Sequence, residues 1–309
     1  MKRGLVVLDP AEIPEAEWRQ RIDRVREQLG AEGVEVALVY GDVYRSDDIA
    51  YLSNLCIYWN EGMLAIPVDG EPALLTKLSP RVHTWMRRTS TLTDLRSGKA
   101  FGALVAALLD ERRPGTLGIV DASLWPTALI DEVGAAAPGW VVRPLEGLVR
   151  QFRLQPSEPE KSLLRQAGAV LAEAATAADG LPGQEKISAA ERVVRSGGFT
   201  DVLVRATPTS VEITGQYRNS WLRVARDASL AERLREAVST VGDGVRTGAV
   251  RGARVVHHAD LSTDGEYAGQ SGDRVLNAGE VVVVAVEDGG AVAADTVLVT
   301  NSGTEVLTA

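Results

Sequence analysis

One carboxylate, Glu287, closes the apolar run "VVVVAVEDGG" near the end of the chain. A carboxylate at the end of a buried strand can ligate a metal or move a proton, but either task needs partners. Candidates are few. His257 and His258 are adjacent, with Asp260 and Glu266 close behind, so one of them is a candidate acid–base group. On a strand, neighbouring side chains point to opposite faces, and at most one of the two would reach a cleft. Cys56 is the only cysteine, which excludes an intrachain disulfide and a cysteine-based zinc site. Between Leu55 and Ile57 it reads as a packing residue. The surrounding "NLCIYWNEG" offers Asn54, Tyr58 and Trp59 as either ligand-lining or packing groups. Arg45, in the turn-prone "YGDVYRSDD", follows a buried strand, and α/β sheets often bind ligands at that edge. A solvated loop is the plainer reading there. The Gly-rich "VGDGVRTGAVRG" lacks Gly-Lys-Ser/Thr and is not a phosphate loop.

These residues sit in a regular succession of elements. "EAEWRQRIDRVREQLGAEG" places Trp18, Ile22, Val25 and Leu29 on one helical face, and Gly30 and Gly33 stop it. "VEVALVYGD" is a strand with consecutive apolar positions, hence covered on both faces. "GMLAIPVDGEPALLT" is a hairpin around Asp69-Gly70. Helices over "PRVHTWMRRTS", "FGALVAALLDERR" and "WPTALIDEVGAAAP" alternate with strands "GTLGIVD" and "WVVRPLEG". This is an α/β domain with a mixed sheet, residues 1–152. Pro156 and Pro159 punctuate a linker, and Ser157 followed by acids caps an Ala-rich helix. A further helix, three strand-like runs, another helix and a β-rich end make a second α+β domain, residues 153–309.

The chain has 309 residues, 45% hydrophobic and 24% charged, the balance of a globular protein with a sizeable core. A net charge of −9 argues against nucleic acid and anionic membrane as partners. No apolar run reaches the roughly 18 residues that span a bilayer. The start, with acids and Pro at once after "MKRGLVVLD", does not read as a signal peptide, so the expected location is the cytoplasm.

Several stretches together resemble the creatinase, aminopeptidase P and prolidase family. They are "RVREQLGAEGVEVALVYGD", "DDIAYLSNL", "LGIVD", "RLQPSEPEKSLLRQAGAVLAEA" and the closing "VLNAGEVVVVAVEDG...ADTVLVTNSGTEVLT". The resemblance implies a creatinase-type N-terminal domain followed by a pita-bread domain. That second domain is shortened here between "DVLVRA" and "SVEITG". Active members of the family hold two divalent metals with two Asp, one His and two Glu, and the paired ions activate a water.

Carried over one residue at a time, that ligand set is broken. Glu287 keeps the position of one Glu, while Ala294 stands at the other. The family's two Asp lie eleven residues apart, with a Tyr five after the first and an Arg three after the second. Tyr217 and Arg226 keep those places, but Glu212 and Arg223 stand for the Asp pair. "RGARVVHHADLSTDG" lacks the Gly-His-Gly of the histidine ligand. No metal and no cofactor are therefore expected.

Arg223 is expected to neutralise Glu212 or Glu287, as a structural cluster or as a pocket for a small amino-acid-like molecule. Tyr217, Arg226, Tyr58, Trp59, Asn54 and Arg45 are candidate binding residues beside it. The resemblance leaves two functions open. One is a pseudoenzyme: a binding subunit or partner of an active relative, as homodimer or heterodimer. The other is a metal-independent hydrolase-like enzyme acting on a C–N bond, with Glu287, Glu212, His257 or His258 as catalytic groups.

Overall fold

The computed structural model describes residues 7–57, 60–262, 265–266 and 272–309. The chain divides into two compact units between Phe152 and Arg153.

The first unit is built on a six-stranded sheet. Helix α1 (Glu15–Glu32) leads to β1 (Val36–Asp42), α2 (Asp47–Ser53), β2 (Glu61–Pro67), β3 (Ala73–Thr76), α3 (His83–Thr89) and β4 (Asp94–Ser97). Then come α4 (Phe101–Leu109), β5 (Thr116–Val120), α5 (Thr127–Ala135) and β6 (Val141–Leu145). The strand order is β4-β3-β2-β1-β5-β6. β1, β5 and β6 run parallel, while β2 runs antiparallel to both β1 and β3. Strand β1 is buried on both sides because each face carries its own apolar layer. Ala37 and Val39 meet Val25 and Leu29 of α1 on one face; Val36 and Leu38 meet Val105 and Leu108 of α4 on the other. Trp18, Ile22, Val25 and Leu29 of α1 all lie buried on a single stripe.

A short helical turn, α6 (Arg150–Arg153), spans the junction. The second unit begins with α7 (Glu158–Ala178), which Ser157 and Glu160 start with a reciprocal capping box. Next come α8 (Gly183–Ser196), β7 (Asp201–Ala206), β8 (Ser210–Tyr217), β9 (Ser220–Asp227), α9 (Ala231–Ser239) and β10 (Arg254–His257). The chain ends through β11 (Leu261–Ser262), β12 (Gly265–Glu266), β13 (Val281–Asp288), β14 (Ala291–Thr300) and β15 (Gly303–Val306). The main sheet runs β10-β13-β14-β9-β8-β7, with β15 beside β14 and antiparallel pairing throughout. Helices α7 and α8 cover β7–β9, and α9 covers β13 and β14, all on one face. Among the described residues no helix is long and apolar enough to cross a membrane.

Candidate functional site

The face of this sheet away from the helices carries the positions with chemical interest. Directly paired residues on neighbouring strands point to the same side. Following the pairs gives one row across six strands: Arg205, Glu212, Ala225, Ala294, Ala285 and Arg254. Three methyl groups lie between an Arg–Glu pair at one end and an arginine at the other.

At the β7–β9 end the charges meet. Arg223 Nη2 donates to Glu212 Oε1 at 2.9 Å, and Arg205 Nη1 approaches the same oxygen at 3.3 Å. Glu212 and Arg223 are nearly buried, whereas Arg205 is half exposed. The cluster therefore carries one excess positive charge. Arg223 is also fixed through its backbone: its N–H donates to Thr296 Oγ1 at 3.0 Å, and that hydroxyl donates to its carbonyl at 2.7 Å.

The centre of the row is closed. Ala225, Ala294 and Ala285 share one buried cluster with Trp221, Val256, Val283 and Leu261. Trp221 and Leu261 are each 1% exposed. After β10 the chain makes a 3-10 turn at His258–Asp260 and returns through Leu261, against β9. Methyl side chains on the floor leave room for that return. A carboxylate at position 294 would stand among these apolar groups.

Glu287 is not in this cavity. It sits exposed near the end of β13, opposite Val292, with β14 between its strand and that of Arg223. The alternation of β13 puts Glu287 on the face expected, but beyond the covered part of the sheet. Of the two acids offered to Arg223, the structure brings Glu212 to it and leaves Glu287 apart.

The two histidines also differ from expectation. Strand β10 ends at His257, and the 3-10 turn that follows cancels strand alternation. Both rings are buried, with centroids 4.7 Å apart. His257 Nε2 lies 2.8 Å from the Leu154 carbonyl, and His258 Nε2 lies 3.1 Å from that of Arg153. A carbonyl only accepts, so both rings carry their proton on Nε2. His257 Nδ1 accepts from the Ala259 N–H; His258 Nδ1 is buried and has no partner among the described residues. Burial, then the neighbouring Arg153 charge, pushes His258 down to about 3. The pair ties down the segment that enters α7, and both rings are spent on backbone groups of that segment and its turn.

Tyr217 and Arg226 fall on the opposite, helix-covered face. Tyr217 is buried with its ring 5.2 Å from Phe199. Arg226 Nη1 pairs with Asp295 at 2.8 Å, and its Nη2 donates to the Thr308 carbonyl. Period-two alternation from Glu212 and Arg223 would have separated them from those residues.

In the first unit, Asn54 is the left-handed C-cap of α2, and its Nδ2 donates to the Thr89 carbonyl at 3.1 Å. Arg45 Nη1 reaches the Leu124 carbonyl at 3.3 Å, at the C-terminal edge shared by β1 and β5. Tyr58 and Trp59 lie outside the described residues. Near Arg45, Asp121 was not singled out from the sequence. It adopts φ 49°, accepts the Gly147 N–H at 2.6 Å, and is pushed up to about 6, chiefly by burial. "D" closing a strand was its only signal.

The donor set does not fit a dinuclear metal centre. A guanidinium and a methyl group have no lone pair for a cation. Among the described residues no three of His, Cys, Asp and Glu gather as metal ligands would.

Residues 21–155 match the Creatinase/Prolidase N-terminal domain family. The first unit thus carries a Creatinase/Prolidase N-terminal domain, and the fold of the chain is that of solved prolidases and aminopeptidases. The similarity of fold runs through both units. A prolidase from Pyrococcus horikoshii aligns with TM-score 0.75 at 15% identity, over 94% of this chain and 98% of that one. An Xaa-Pro dipeptidase from Bacillus anthracis gives 0.73 at 17%, over 94% and 97%. The His361Ala form of Escherichia coli aminopeptidase P gives 0.68 at 14%, over 94% and 95%. Among curated protein sequences none matches the chain. The second unit is thus a shortened pita-bread domain, and the closed row lies on its helix-free face.

Proposed function

We propose that this creatinase/prolidase-type chain has lost the dinuclear metal site and acts without catalysis, as a binding subunit or as the partner of a related chain in a cytoplasmic dimer. One observation carries the reading: Ala294, where the resemblance puts a metal ligand, is buried with Ala225 and Ala285 in one apolar cluster with Leu261 and Trp221. A reaction centre needs an accessible site with converging groups. Here the ground is filled with apolar side chains; of the two carboxylates left, Glu212 is engaged by Arg223 and Arg205 and Glu287 lies exposed outside it.

The same contacts weigh against a metal-independent hydrolase. Such an enzyme needs a base and an acid within reach of one substrate atom. Glu212, Glu287 and the two histidines do not converge. Glu212 is in an ion cluster, Glu287 is exposed beyond the row, and the histidines hold backbone carbonyls.

The test is metal retention together with turnover. The purified chain is incubated with manganese, cobalt, iron or zinc, dialysed, analysed for metal, and assayed on an Xaa-Pro dipeptide. Neither stoichiometric metal nor hydrolysis is expected. One or two retained equivalents with turnover would overturn the reading. Light scattering gives the assembly: twice the mass of the chain is expected, alone or with a related chain.

A further inference from the structure

The helix-covered face of the second unit contains a groove that the closed row does not explain. It has a volume of about 330 Å³, at the lower end of the size range of small-molecule sites. It opens where the C-terminal end of α7 and the start of α9 leave the ends of β8 and β9 uncovered. Its floor is formed by small side chains, Ala175, Ala228 and Ala231 among them. Its walls carry four charged groups, Arg226, Lys186, Asp227 and Asp179, which sum to zero.

These four are not equally available. Lys186 is buried, with its ammonium turned to the carbonyls of Thr207, Pro208 and Ser210 at 3.2, 3.3 and 3.5 Å. Its three donors are spent. Asp227 caps the turn before α9: it accepts from Ser229 N and Oγ and from Thr209 Oγ1, and these bonds hold it ionised.

Arg226 is different. Its Nη1 serves the Ala225 and Ala294 carbonyls and Asp295, and one Nη2 hydrogen goes to the Thr308 carbonyl. Among the described residues nothing accepts from its Nε, and the side chain is 37% exposed. Nε–H and the second Nη2–H are left for a ligand, and a guanidinium with two such donors can hold a carboxylate. Asp179, at the end of α7, is exposed and accepts only the Gly180 N–H among the described residues.

We propose that this groove binds a small zwitterion, an amino acid or a dipeptide. Its carboxylate lies on these two donors of Arg226 and its ammonium group is turned to Asp179. The neutral sum of the walls disfavours a dianion such as phosphate, because Asp227 and Asp179 would repel it. The inference is independent of the closed row on the other face.

The test titrates the full chain with three probes, followed by calorimetry and by amide chemical shifts. Glycylglycine carries both charges, N-acetylglycine the carboxylate alone, and glycinamide the cation alone. Glycylglycine is expected to saturate, with each single-charge probe weaker by roughly tenfold or more. Arg226→Lys should weaken both carboxylate probes. Arg226 also holds Asp295 and Thr308, so the deciding variant is Asp179→Asn, on an exposed helix end. It should remove the advantage of glycylglycine over N-acetylglycine and leave N-acetylglycine binding as it was. No saturation by glycylglycine up to about 10 mM, shifts confined to residues outside the groove, or an undiminished advantage in Asp179→Asn would each overturn the proposal. Metal retention and Xaa-Pro hydrolysis are untouched by any of these results, so the two readings fail separately.

Discussion

Arg223 and Glu212 are bound across neighbouring strands at 2.9 Å, both almost withdrawn from water. Loss of one member of a buried pair commonly costs about 3–5 kcal/mol. The structure lowers that figure for one partner and not for the other. If Arg223 is changed to Ala, Glu212 keeps Arg205 at 3.3 Å, so a cost of about 1–3 kcal/mol is expected. If Glu212 is changed to Ala, two guanidinium groups are left side by side, and the buried Nε of Arg223 already has no partner among the described residues. That variant should lose about 3–5 kcal/mol. Arg205→Ala removes a half-exposed charge and should cost under about 1 kcal/mol. Denaturant unfolding of the three variants gives the order; an Arg223 variant less stable than the Glu212 variant would contradict this account.

Ala294 tests whether the row is truly closed. It is fully buried beside Ala225 and Ala285 and beneath an apolar layer. Ala294→Glu puts back the carboxylate that the family resemblance implies for this position. In an open cleft the new carboxylate would be solvated and tolerated. Here it must displace Leu261 or remain without partners, and a loss of at least about 3 kcal/mol is expected. Leu261→Ala should cost about 2–4 kcal/mol by leaving a cavity over the alanines. Thermal melts of both variants decide the matter. An Ala294→Glu protein that melts with the parent would show an open face.

Gly168 marks where the second unit cannot accept a methyl group. It lies in the middle of α7, and a Cβ there would come within 2.2 Å of the Leu307 carbonyl oxygen. That neighbour is backbone and cannot turn aside. Gly168→Ala should therefore destabilise by about 1–3 kcal/mol or more, despite the higher helix propensity of alanine. Gly134, in α5, is the contrast: a Cβ there meets nothing within 4 Å. Gly134→Ala should be neutral or stabilising by up to about 1 kcal/mol. Chemical unfolding that shows the same sign for both would remove the close approach as the cause.

Much of the architecture is legible because it is local. Trp18, Ile22, Val25 and Leu29 recur at helical spacing and form the buried stripe of α1; Asp69-Gly70 turns β2 into β3, with Gly70 at φ 100°. Glu212 and Arg223 could be paired from two strand-like runs joined by a short turn, since register in a hairpin follows from the turn. The same alternation, applied to Tyr217 and Arg226, would have moved them to the other face. What could not be read was non-local. The approach of Leu261 to Ala294 depends on a return of the chain after β10, and no periodicity signals it. Adjacent histidines predict opposite faces only while the strand continues, and it stops at His257. Glu287 lies at a strand end as expected, but how far the neighbouring segments cover that end is a tertiary property.

His258 makes the stability of the second unit depend on pH. The imidazole is buried and neutral, with its proton on Nε2 facing the Arg153 carbonyl and no partner for its Nδ1 among the described residues. A second proton would place a charge in the interior beside the Arg153 guanidinium. Burial and that neighbour hold the ring at about 3, against 6.5 for a free imidazole. Above pH 6.5 the ring is neutral in both states, and the native fold keeps its full stability. As the pH falls below 6.5, the unfolded chain takes up a proton that the native chain refuses, and the balance moves towards unfolding. The loss continues until the pH nears 3, where the native ring also titrates, and amounts to roughly 4–5 kcal/mol over the window. His258→Gln keeps a side chain able to donate towards the Arg153 carbonyl but cannot be protonated. It should be less stable than the parent at pH 8, where the imidazole packs best, and should lose less stability between pH 6.5 and pH 4. Urea unfolding of both proteins across that range measures the difference in slope. Parallel curves would mean that His258 is not the group that titrates.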